Sequence, residues 1–280
     1  MNADRGVEKT REPLDVAKLN AAVAVPGSPW RRVEVVQDTG STNADLLARA
    51  RDGEDVAGAV LVAEHQTAGR GRNGRTWSAV PGAQISMSVG VPLGDLPTAA
   101  WGWLPLATGL AVVAAVAEVT GVAVGLKWPN DVLSTPDGRK LAGILAEVAS
   151  PAPVVVIGIG LNVSLRADEL PHPAATSLAL LGAQVPDRAE LIIALLRELQ
   201  RRVGQLTAAR GAGDALLADY VAHSLTISQR VRATLPGGRE VVGRAVSIDD
   251  QGRLRIDTGP ETVLVSAGDV VHLRPADEPG

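Results

Sequence analysis

The sequence predicts an α+β protein in which a mixed sheet with helices is followed by a small β-barrel. Up to about residue 223, segments with the two-residue period of strands alternate with segments of helical period. After that point only short alternating strands occur, separated by turns rich in glycine and proline. We therefore predict an N-terminal extension and linker over 1–29, a large mixed domain over 30–223 and a small all-β domain over 224–280.

Hydrophobic periodicity predicts the order of elements in the large domain. Strands are expected where apolar residues alternate or run uninterrupted over short stretches, and helices where they recur every three to four residues. The predicted order is a helix at 14–23, a linker at 26–29, a strand at 32–37, a helix at 44–51, strands at 59–64 and 83–90, a buried helix at 104–119, a strand–hairpin unit over 123–149 that turns at 135–138, a strand at 153–163, and helices at 188–210 and 214–223. Ser41 or Thr42 is expected to cap the 44–51 helix, with Asp45 in its first turn.

The small domain is predicted from five short alternating patterns. They occupy 231–235, 241–248, 254–256, 263–265 and 270–273. Turn residues cluster between them, and regular short strands at this spacing are typical of a small barrel.

Composition excludes several classes of protein. The chain of 280 residues has no cysteine, which excludes disulfides, thiolate catalysis and cysteine-based zinc sites and suits a reducing cytoplasm. The net charge of −4 gives no general attraction to nucleic acids or anionic membranes. Residues 1–13 lack the apolar core of a signal peptide. Segment 96–117 carries no charge and is long enough to span a membrane, but its alanines, glycines and prolines favour a buried helix.

The most informative segment is 69–77, which reads GRGRNGRTW and is called the arginine loop below. Its glycines allow the backbone to approach a ligand closely. Its three arginines supply guanidinium groups whose geometry matches phosphate and carboxylate oxygens. The segment therefore predicts a binding loop for a polyanion, and the alternative is a solvated loop that binds nothing.

The arginine loop also fits two nucleotide-binding patterns by chance. Gly69, Gly71 and Gly74 match the dinucleotide fingerprint, and 69–76 nearly matches the phosphate loop, with Arg75 in place of lysine. Both mechanisms need a helix directly after the glycines, so that its N-terminus meets the phosphate. Because a turn and a strand follow instead, we expect neither of those folds.

Hydroxyl and amide side chains form two further candidate clusters. Ser41, Thr42 and Asn43 start a helix, where they either cap it or form a polar pocket wall that hydrogen-bonds a neutral group such as a ureido ring. Gln66 ends the strand before the arginine loop and either caps that strand or contacts a ligand.

Lysine, which is rare in this chain, marks two more clusters. Of four lysines, Lys127 and Lys140 lie in apolar stretches that contain glycine, where a compact ammonium differs in function from the arginine fork. Lys127 belongs to KWPND, whose Asn130 and Asp131 are either turn residues or hold Mg²⁺ with its water or phosphate partners. Lys140 is either an exposed hairpin residue or a cation directed into a cleft.

Glycines inside the later strands indicate close contacts. Gly143 follows Lys140 in an apolar strand and marks a place where a ligand can approach the backbone. Gly158 and Gly160 indicate backbone crowding in the 153–163 strand, and Asn162 adds a polar group near its end.

Together these motifs resemble the biotin–protein ligase family over about residues 40–274. The matching motifs are Ser41-Thr42-Asn43, Gln66 with GRGRNGRTW, KWPND at 127–131, RKLAGIL at 139–145 and GIGLN at 158–162. The resemblance implies a sheet with helices related to class II tRNA synthetases and a C-terminal SH3-like barrel. It is to the form that lacks the N-terminal winged-helix DNA-binding domain, since 1–39 is too short to supply one, so neither a DNA nor a membrane partner is expected.

The activity implied by the resemblance is that of a cytoplasmic ATP-dependent ligase. The biotin carboxylate attacks the α-phosphate of ATP, with Mg²⁺ present, and forms biotinyl-5′-AMP and pyrophosphate. A lysine of the biotin carboxyl carrier domain of a carboxylase then attacks the adenylate. Fixed cations suit this chemistry because they reduce the repulsion between two anionic substrates, and closure of a mobile loop keeps water from the mixed anhydride.

The resemblance also implies roles for the residues. The catalytic set is Lys140, Arg70 and Arg72. The biotin-binding set is Ser41, Thr42, Asn43, Gln66, Arg70, Gly71, Arg72, Lys140 and Gly143. The ATP-binding set is Arg72, Arg75, Trp77, Lys127, Asn130 and Asn162. The metal ligands stay open, with Asn130 and Asp131 as candidates through a magnesium phosphate.

Three alternatives remain at this point. A lipoate–protein ligase shares the scaffold and the adenylation chemistry, but the polar Ser-Thr-Asn wall and the complete arginine loop favour a ureido ring. A biotin or nucleotide sensor would bind without labelling a carrier. A nucleic-acid binder is supported by one basic loop only.

Overall fold

The computed structural model describes residues 11–151, 153–270 and 272–275, without the side chains of Asp269 and His272. The start of the predicted N-terminal extension and the end of the predicted small domain lie outside these residues. Within them, the predicted α+β architecture is confirmed: helices pack on a mixed sheet, and a separate antiparallel sheet follows.

The helices and strands of the large domain follow the predicted order. They are α1 Val16–Val23, β1 Arg32–Thr39, α2 Thr42–Arg51, β2 Ala59–Gln66, β3 Gln84–Pro92, α3 Leu104–Thr120, β4 Val124–Lys127, β5 Asp131–Ser134, β6 Lys140–Ala149, β7 Val154–Asn162, α4 Arg188–Ala208 and α5 Gly213–His223. The small domain contains β8 Arg230–Thr234, β9 Glu240–Ile248, β10 Leu254–Asp257, β11 Thr262–Val265 and β12 His272–Pro275.

The predicted strand–hairpin unit over 123–149 comprises three strands, in which the chain also reverses between β4 and β5 and pairs Lys127 with Asp131. Two details of the predicted elements were wrong. Helix α2 begins at Thr42 rather than at residue 44, and Ser41 occupies its N-cap position without a side-chain capping bond. The last strand begins at His272 rather than at residue 270, since a short 3₁₀ turn at Ala267–Asp269 precedes it.

The large sheet has seven strands in the order β1-β2-β3-β7-β6-β5-β4. Strands β1 and β2 are parallel, and helix α2 makes the crossover that parallel neighbours need. The other neighbours are antiparallel. A strand therefore follows the arginine loop, and the predicted absence of a nucleotide-binding helix at that position is confirmed.

The two faces of this sheet differ because side chains alternate along each strand. Ile85, Met87 and Val89 of β3 point into the main core, as predicted, where α3 and α4 pack. The alternate residues face the other side, where α2 covers only part of the sheet. On that side the register places Ser88 of β3 opposite Gly158 of β7. It also places Gly143 of β6 opposite Gly160 of β7. Small side chains thus leave a trough beside the start of α2.

Helix α3 is the central helix of the core. Together with the 3₁₀ turn before it, it forms the apolar segment Thr98–Thr120, which by length and composition alone could cross a membrane, yet 72% of its most apolar window is buried inside the protein. Gly109 allows it to lie close to the sheet, since an added Cβ would be 2.9 Å from the Leu126 Cδ2 atom. Its burial confirms the prediction of a buried helix.

The small domain is an antiparallel sheet in the order β11-β10-β9-β8-β12. Within the part of the chain that the structure describes, no ladder joins its two edge strands, so a closed barrel is not formed by strand pairing. The turn between β9 and β10 is fixed to the large domain: Trp103 Nε1 donates to the Asp249 carbonyl at 2.9 Å and Trp128 Nε1 donates to the Gly252 carbonyl at 3.0 Å. Apolar residues of both domains form one continuous core.

A buried ion pair joins α4 to β2 and the N-terminal segment. Arg188 NH1 lies 2.7 Å from Glu64 Oε2, and the two side chains are only 7% and 9% exposed. Glu64 Oε1 also accepts a hydrogen bond from the Leu14 amide at 2.7 Å, and Arg188 NH2 donates to the Glu12 carbonyl at 2.6 Å. The pair therefore organises one edge of the core.

Removing one partner of this pair should be strongly destabilising. In Glu64→Ala the Arg188 charge stays buried without its carboxylate, and we expect the free energy of unfolding to fall by about 3–5 kcal/mol. Urea denaturation followed by circular dichroism measures the loss. Arg201→Ala, which breaks an exposed pair with Glu198 on the same helix, is the matched control and should change little. Equal effects of the two substitutions would contradict the structural role of Glu64.

Candidate active site

One cavity of about 580 Å³ lies on the trough side of the large sheet. This volume is within the range of small-molecule sites. The cavity lining includes every residue of the implied catalytic, biotin-binding and ATP-binding sets and both candidate metal ligands: Ser41, Thr42, Asn43, Gln66, Arg70, Gly71, Arg72, Arg75, Trp77, Lys127, Asn130, Asp131, Lys140, Gly143 and Asn162. Residues separated by more than a hundred positions in sequence therefore share one site, and the role of each stays a prediction.

The floor of the cavity is formed by glycines and one indole. Trp77 lies flat against Gly160, where an added Cβ would be 2.4 Å from its Cε2 atom, and against Gly143, where the distance to Cζ3 would be 3.0 Å. Trp77 Nε1 is buried and has no hydrogen-bond partner among the described residues. The Lys140 ammonium lies 5.6 Å from the ring centroid, a cation–π distance. The floor thus carries an aromatic surface with an unused donor.

A chain of buried hydrogen bonds forms the polar wall. Gln66 Oε1 accepts from the Thr42 amide at 2.9 Å, and the Thr42 hydroxyl lies 2.6 Å from the Ser88 hydroxyl. Ser88 donates to Asn43 Oδ1 at 2.6 Å, and Asn43 Nδ2 donates to Glu147 Oε2 at 2.8 Å. Because each member is oriented by its neighbour, the wall is preorganised rather than adaptable. Ser88 was missed from the sequence, where its alternation with apolar residues in β3 was the available signal.

Gly158 makes room for this wall. A Cβ added there would lie 2.3 Å from Asn43 Oδ1, closer than real contacts allow. The crowding predicted from the sequence at Gly158 is therefore a contact with the Asn43 side chain.

The opposite side of the cavity is cationic. Lys140 Nζ lies 2.6 Å from Asp131 Oδ1, and this carboxylate is the one acidic side chain in the cavity lining of the described residues. The cations that line the same cavity are Arg70, Arg72, Arg75, Lys127, Lys140 and Arg274. Arg274 comes from β12 in the small domain and was missed, because nothing in a lone arginine of an edge strand indicates which surface it meets. The site therefore has an excess of positive charge.

Burial changes the pKa of two of these cations, Lys127 and Arg72. Burial lowers the pKa of Lys127 below its ordinary value of 10.5, and the nearby charges of Lys140, Arg274 and Arg75 lower that pKa further. The Asp131 carboxylate opposes the effect. Burial likewise lowers the pKa of Arg72 from its ordinary value. An anion that enters the cavity would favour the charged form of both groups.

The arginine loop is a tight backbone structure. The Gly71 amide donates to the Arg75 carbonyl at 2.7 Å, and the Trp77 amide donates to the Gly69 carbonyl at 2.8 Å. Gly69 is required at its position, since an added Cβ would lie 2.5 Å from the Trp77 carbonyl oxygen. The loop was predicted from composition, but these two backbone hydrogen bonds within it were not.

The candidate metal ligands do not fit a resident Mg²⁺. Asn130 Oδ1 accepts from Arg72 NH1 at 3.3 Å, and Asn130 Nδ2 donates to the Ile144 carbonyl at 2.8 Å. Asp131 is paired with Lys140. The described residues contain no group of three or more His, Cys, Asp or Glu side chains that could hold a metal ion. Mg²⁺ prefers several oxygen ligands and commonly reaches a site on substrate phosphates.

Asn162 is already bonded within the protein. Its Oδ1 accepts from Gln84 Nε2 at 2.8 Å and its Nδ2 donates to the Thr176 carbonyl at 2.8 Å. Its amide therefore links β7 to β3 and to the segment after β7, and its predicted contact with a nucleotide remains a prediction.

The cation-rich side of this cavity suits an enzyme that binds anionic substrates, and the neutral polar wall beside it suits an uncharged polar group of one of them. The biotin/lipoate A/B protein ligase family matches residues 36–164, and the biotin protein ligase C-terminal domain matches residues 226–273. The chain belongs to the biotin protein ligases of this family.

Similar proteins agree in sequence and in structure. The biotin–[acetyl-CoA-carboxylase] ligase of Mycobacterium tuberculosis is 57% identical over 270 residues, which cover 95% of this chain and 98% of that protein. The biotin protein ligase from Aquifex aeolicus in complex with biotin and ATP has a TM-score of 0.74 and 26% identity, covering 88% of this chain and 100% of that one. The Leishmania major ligase in complex with biotinyl-5-AMP has a TM-score of 0.59 and 28% identity, covering 84% and 98%.

Gly158→Ala should damage the polar wall without unfolding the protein. The added methyl group displaces Asn43, and loss of one oriented buried hydrogen bond is worth about 1–3 kcal/mol. We expect the dissociation constant for biotin, measured by calorimetry, to rise on the order of ten- to a hundredfold. Gly204→Ala is the control, since an added Cβ in helix α4 meets nothing within 4 Å. Wild-type affinity in Gly158→Ala would show that the wall does not contact biotin.

Proposed function

We propose that this chain joins biotin to a lysine of a biotin carboxyl carrier domain, at the expense of ATP and through biotinyl-5′-AMP. The observation that carries the proposal is the division of one cavity into a neutral, hydrogen-bonded wall and a cationic side. The neutral wall fits a polar but uncharged ring, and the cationic side fits a carboxylate beside a triphosphate. Relatives that are solved with biotin and ATP, or with biotinyl-5-AMP, support the same assignment.

The polar wall favours biotin over lipoate. A ureido ring presents both donors and an acceptor, which can pair with Ser41, Thr42 and Gln66, whereas a dithiolane ring presents neither strong donors nor strong acceptors. An apolar ring would displace water from the polar groups that face the cavity without replacing its hydrogen bonds, and sites built to hydrogen-bond a ligand discriminate against such analogues. The runner-up from the sequence, lipoate ligation, is therefore disfavoured by the buried Thr42–Ser88–Asn43 network.

Lys140 is the proposed contact for the reacting carboxylate. Its ammonium has three donors, of which one is directed to Asp131, so an entering carboxylate or α-phosphate oxygen can share the same cation. Arg70 and Arg72 supply further fixed positive charge near the developing charge on phosphorus, which is the main way that proteins accelerate phosphoryl chemistry. These three residues form the proposed catalytic set.

The remaining cations and the indole suit the nucleotide. Arg75 and Lys127 would contact the outer phosphates, and Trp77 would pack against the adenylate, with its unused N–H available to an acceptor. Asn130 and Asn162 are the proposed further ATP contacts. Gly71 and Gly143 would let biotin lie close to the backbone.

The two steps balance without a covalent enzyme intermediate. A biotin carboxylate oxygen bonds to the α-phosphorus and pyrophosphate leaves. The carrier amine then bonds to the acyl carbon, AMP leaves, and the amine proton passes to solvent. Mg²⁺ is proposed to arrive with ATP as part of the substrate, since Asn130 and Asp131 are bonded to protein groups. A cytoplasmic location and domains over 1–29, 30–223 and 224–280 complete the proposal.

The direct test is transfer of label to a carrier domain. The protein is incubated with a biotin carboxyl carrier domain, biotin, ATP and Mg²⁺, and avidin-detectable label is measured. We expect labelling that requires every component and that is not replaced by lipoate attachment when lipoate is supplied. Binding of biotin without any labelling would indicate a sensor and would refute the proposed activity.

Lys140→Ala should abolish adenylate formation, because the carboxylate then loses its compact cation. ATP–pyrophosphate exchange in the presence of biotin measures the step, and circular dichroism checks that the fold survives. The matched control is Lys18→Ala, since Lys18 pairs with Asp187 and Glu190 on the surface. Exchange at the wild-type rate in Lys140→Ala would remove Lys140 from the catalytic set.

ATP binding should be coupled to proton uptake at alkaline pH. Lys127 has a pKa below its ordinary 10.5, so part of it is neutral between that lowered pKa and 10.5, and bound phosphates would raise the pKa and draw in a proton. Calorimetry of ATP binding in buffers of different ionisation enthalpy, at a pH in this window, measures the uptake. Lys127→Met should remove it. Identical uptake in the variant would place the phosphates away from Lys127.

A further inference from the structure

The arginine loop is bonded to the small domain. Asn73 Nδ2 donates to the Val270 carbonyl at 3.1 Å. Arg72 NH2 donates to the same carbonyl at 3.3 Å and also to the carbonyl of Ala267. Both acceptors belong to one ordered turn, since the Val270 amide donates back to Ala267 at 3.2 Å and the Val270 side chain is buried.

Asn73 has an unusual backbone conformation within this loop. Its φ is 55° and its ψ is 38°, the left-handed region that few residues other than glycine enter. Asparagine enters this region more readily than most side chains because its amide can form local hydrogen bonds. One residue thus meets two requirements, a left-handed turn at the tip of the loop and a donor directed at the small domain.

The partner surface is fixed rather than mobile. The turn between β9 and β10 is held by two tryptophan N–H donors of the large domain. Gly102 allows a close fit there, since an added Cβ would lie 2.2 Å from the Gln251 carbonyl oxygen. The Val270 carbonyl therefore belongs to a domain that is itself anchored.

The arginine loop needs such support. Arg70, Arg72 and Arg75 repel one another and also face the cations of the cavity. Neutral carbonyls of the small domain accept hydrogen bonds from Arg72 and Asn73 without adding a negative charge that would compete with an anionic ligand. The energy that holds the loop against the cavity therefore comes in part from outside the large domain.

We propose that Asn73 is a positioning residue that holds the arginine loop against the cavity through the Val270 carbonyl, and so limits the escape of the adenylate before transfer. The identity of the escaping ligand rests on the proposed function, whereas the positioning of the loop does not. Asn73 also lines the cavity, and the role proposed for it acts through the position of the loop rather than through a substrate contact.

Two variants separate the backbone from the side chain. Asn73→Gly keeps the left-handed turn and removes the donor, whereas Asn73→Ala removes the donor and also disfavours the turn. Hydrogen exchange of the Gly71 and Trp77 amides in the ligand-free protein reports loop opening, since both amides close the loop. We expect exchange to accelerate about two- to tenfold in Asn73→Gly, the factor that one net hydrogen bond represents, and more in Asn73→Ala. Unchanged exchange in Asn73→Gly would overturn the proposal.

A second readout distinguishes positioning from general damage. With biotin, ATP, Mg²⁺ and carrier domain, the number of ATP molecules consumed per carrier labelled should rise in both variants, because an open loop lets adenylate escape and hydrolyse. A purely structural defect would lower consumption and labelling together. An unchanged ratio despite faster exchange would overturn the retention role.

A matched control tests for effects of glycine itself. Arg210 also has a left-handed backbone, with φ 51°, but follows helix α4 away from the loop. Arg210→Gly should leave both readouts unchanged, and a change equal to that of Asn73→Gly would overturn the proposal. If the wild-type protein labels no carrier, the proposed function fails, while the exchange measurement still decides whether Asn73 positions the loop.

Discussion

The site depends on positive charge that the protein gathers and does not neutralise. Six cationic side chains line the cavity against one carboxylate among the described residues, and that carboxylate is paired with Lys140. Burial makes this charge costly, which is why the pKa of Lys127 and that of Arg72 lie below their ordinary values. Polyanionic substrates would offset this cost, because the gathered positive charge reduces the repulsion between a carboxylate and a triphosphate.

The large sheet forms a specific pocket beside these cations. Side-chain alternation directs the Val, Ile and Met residues to the core and leaves serine and glycine on the other face, so the trough needs no irregular backbone. Gly158 admits Asn43, and Gly160 admits the indole of Trp77. The polar wall is consequently rigid, and the ring that it accepts must satisfy buried donors and acceptors already in place.

The small domain contributes both charge and support to the candidate site. Arg274 adds a cation to the lining, and the carbonyls of Ala267 and Val270 receive the donors of the arginine loop. The small domain is attached to the large domain through the turn between β9 and β10, so these contacts come from a surface that is held in place. Loop closure and domain docking are therefore linked by ordinary hydrogen bonds.

The order of the elements, the buried helix α3, the arginine loop and the family could be predicted from the sequence alone, because these depend on local periodicity and on contiguous motifs. The sequence also pointed to Lys140 and Gly158, since a rare cation and a glycine within apolar strands are visible as departures from their surroundings. The contact of Lys140 with Asp131, the link that Ser88 makes between Thr42 and Asn43, and the bond from Asn73 to Val270 are visible only in the folded chain. Those contacts join residues that are distant along the chain or lie on different elements, and the distance between two such atoms is set by packing, which no local pattern records.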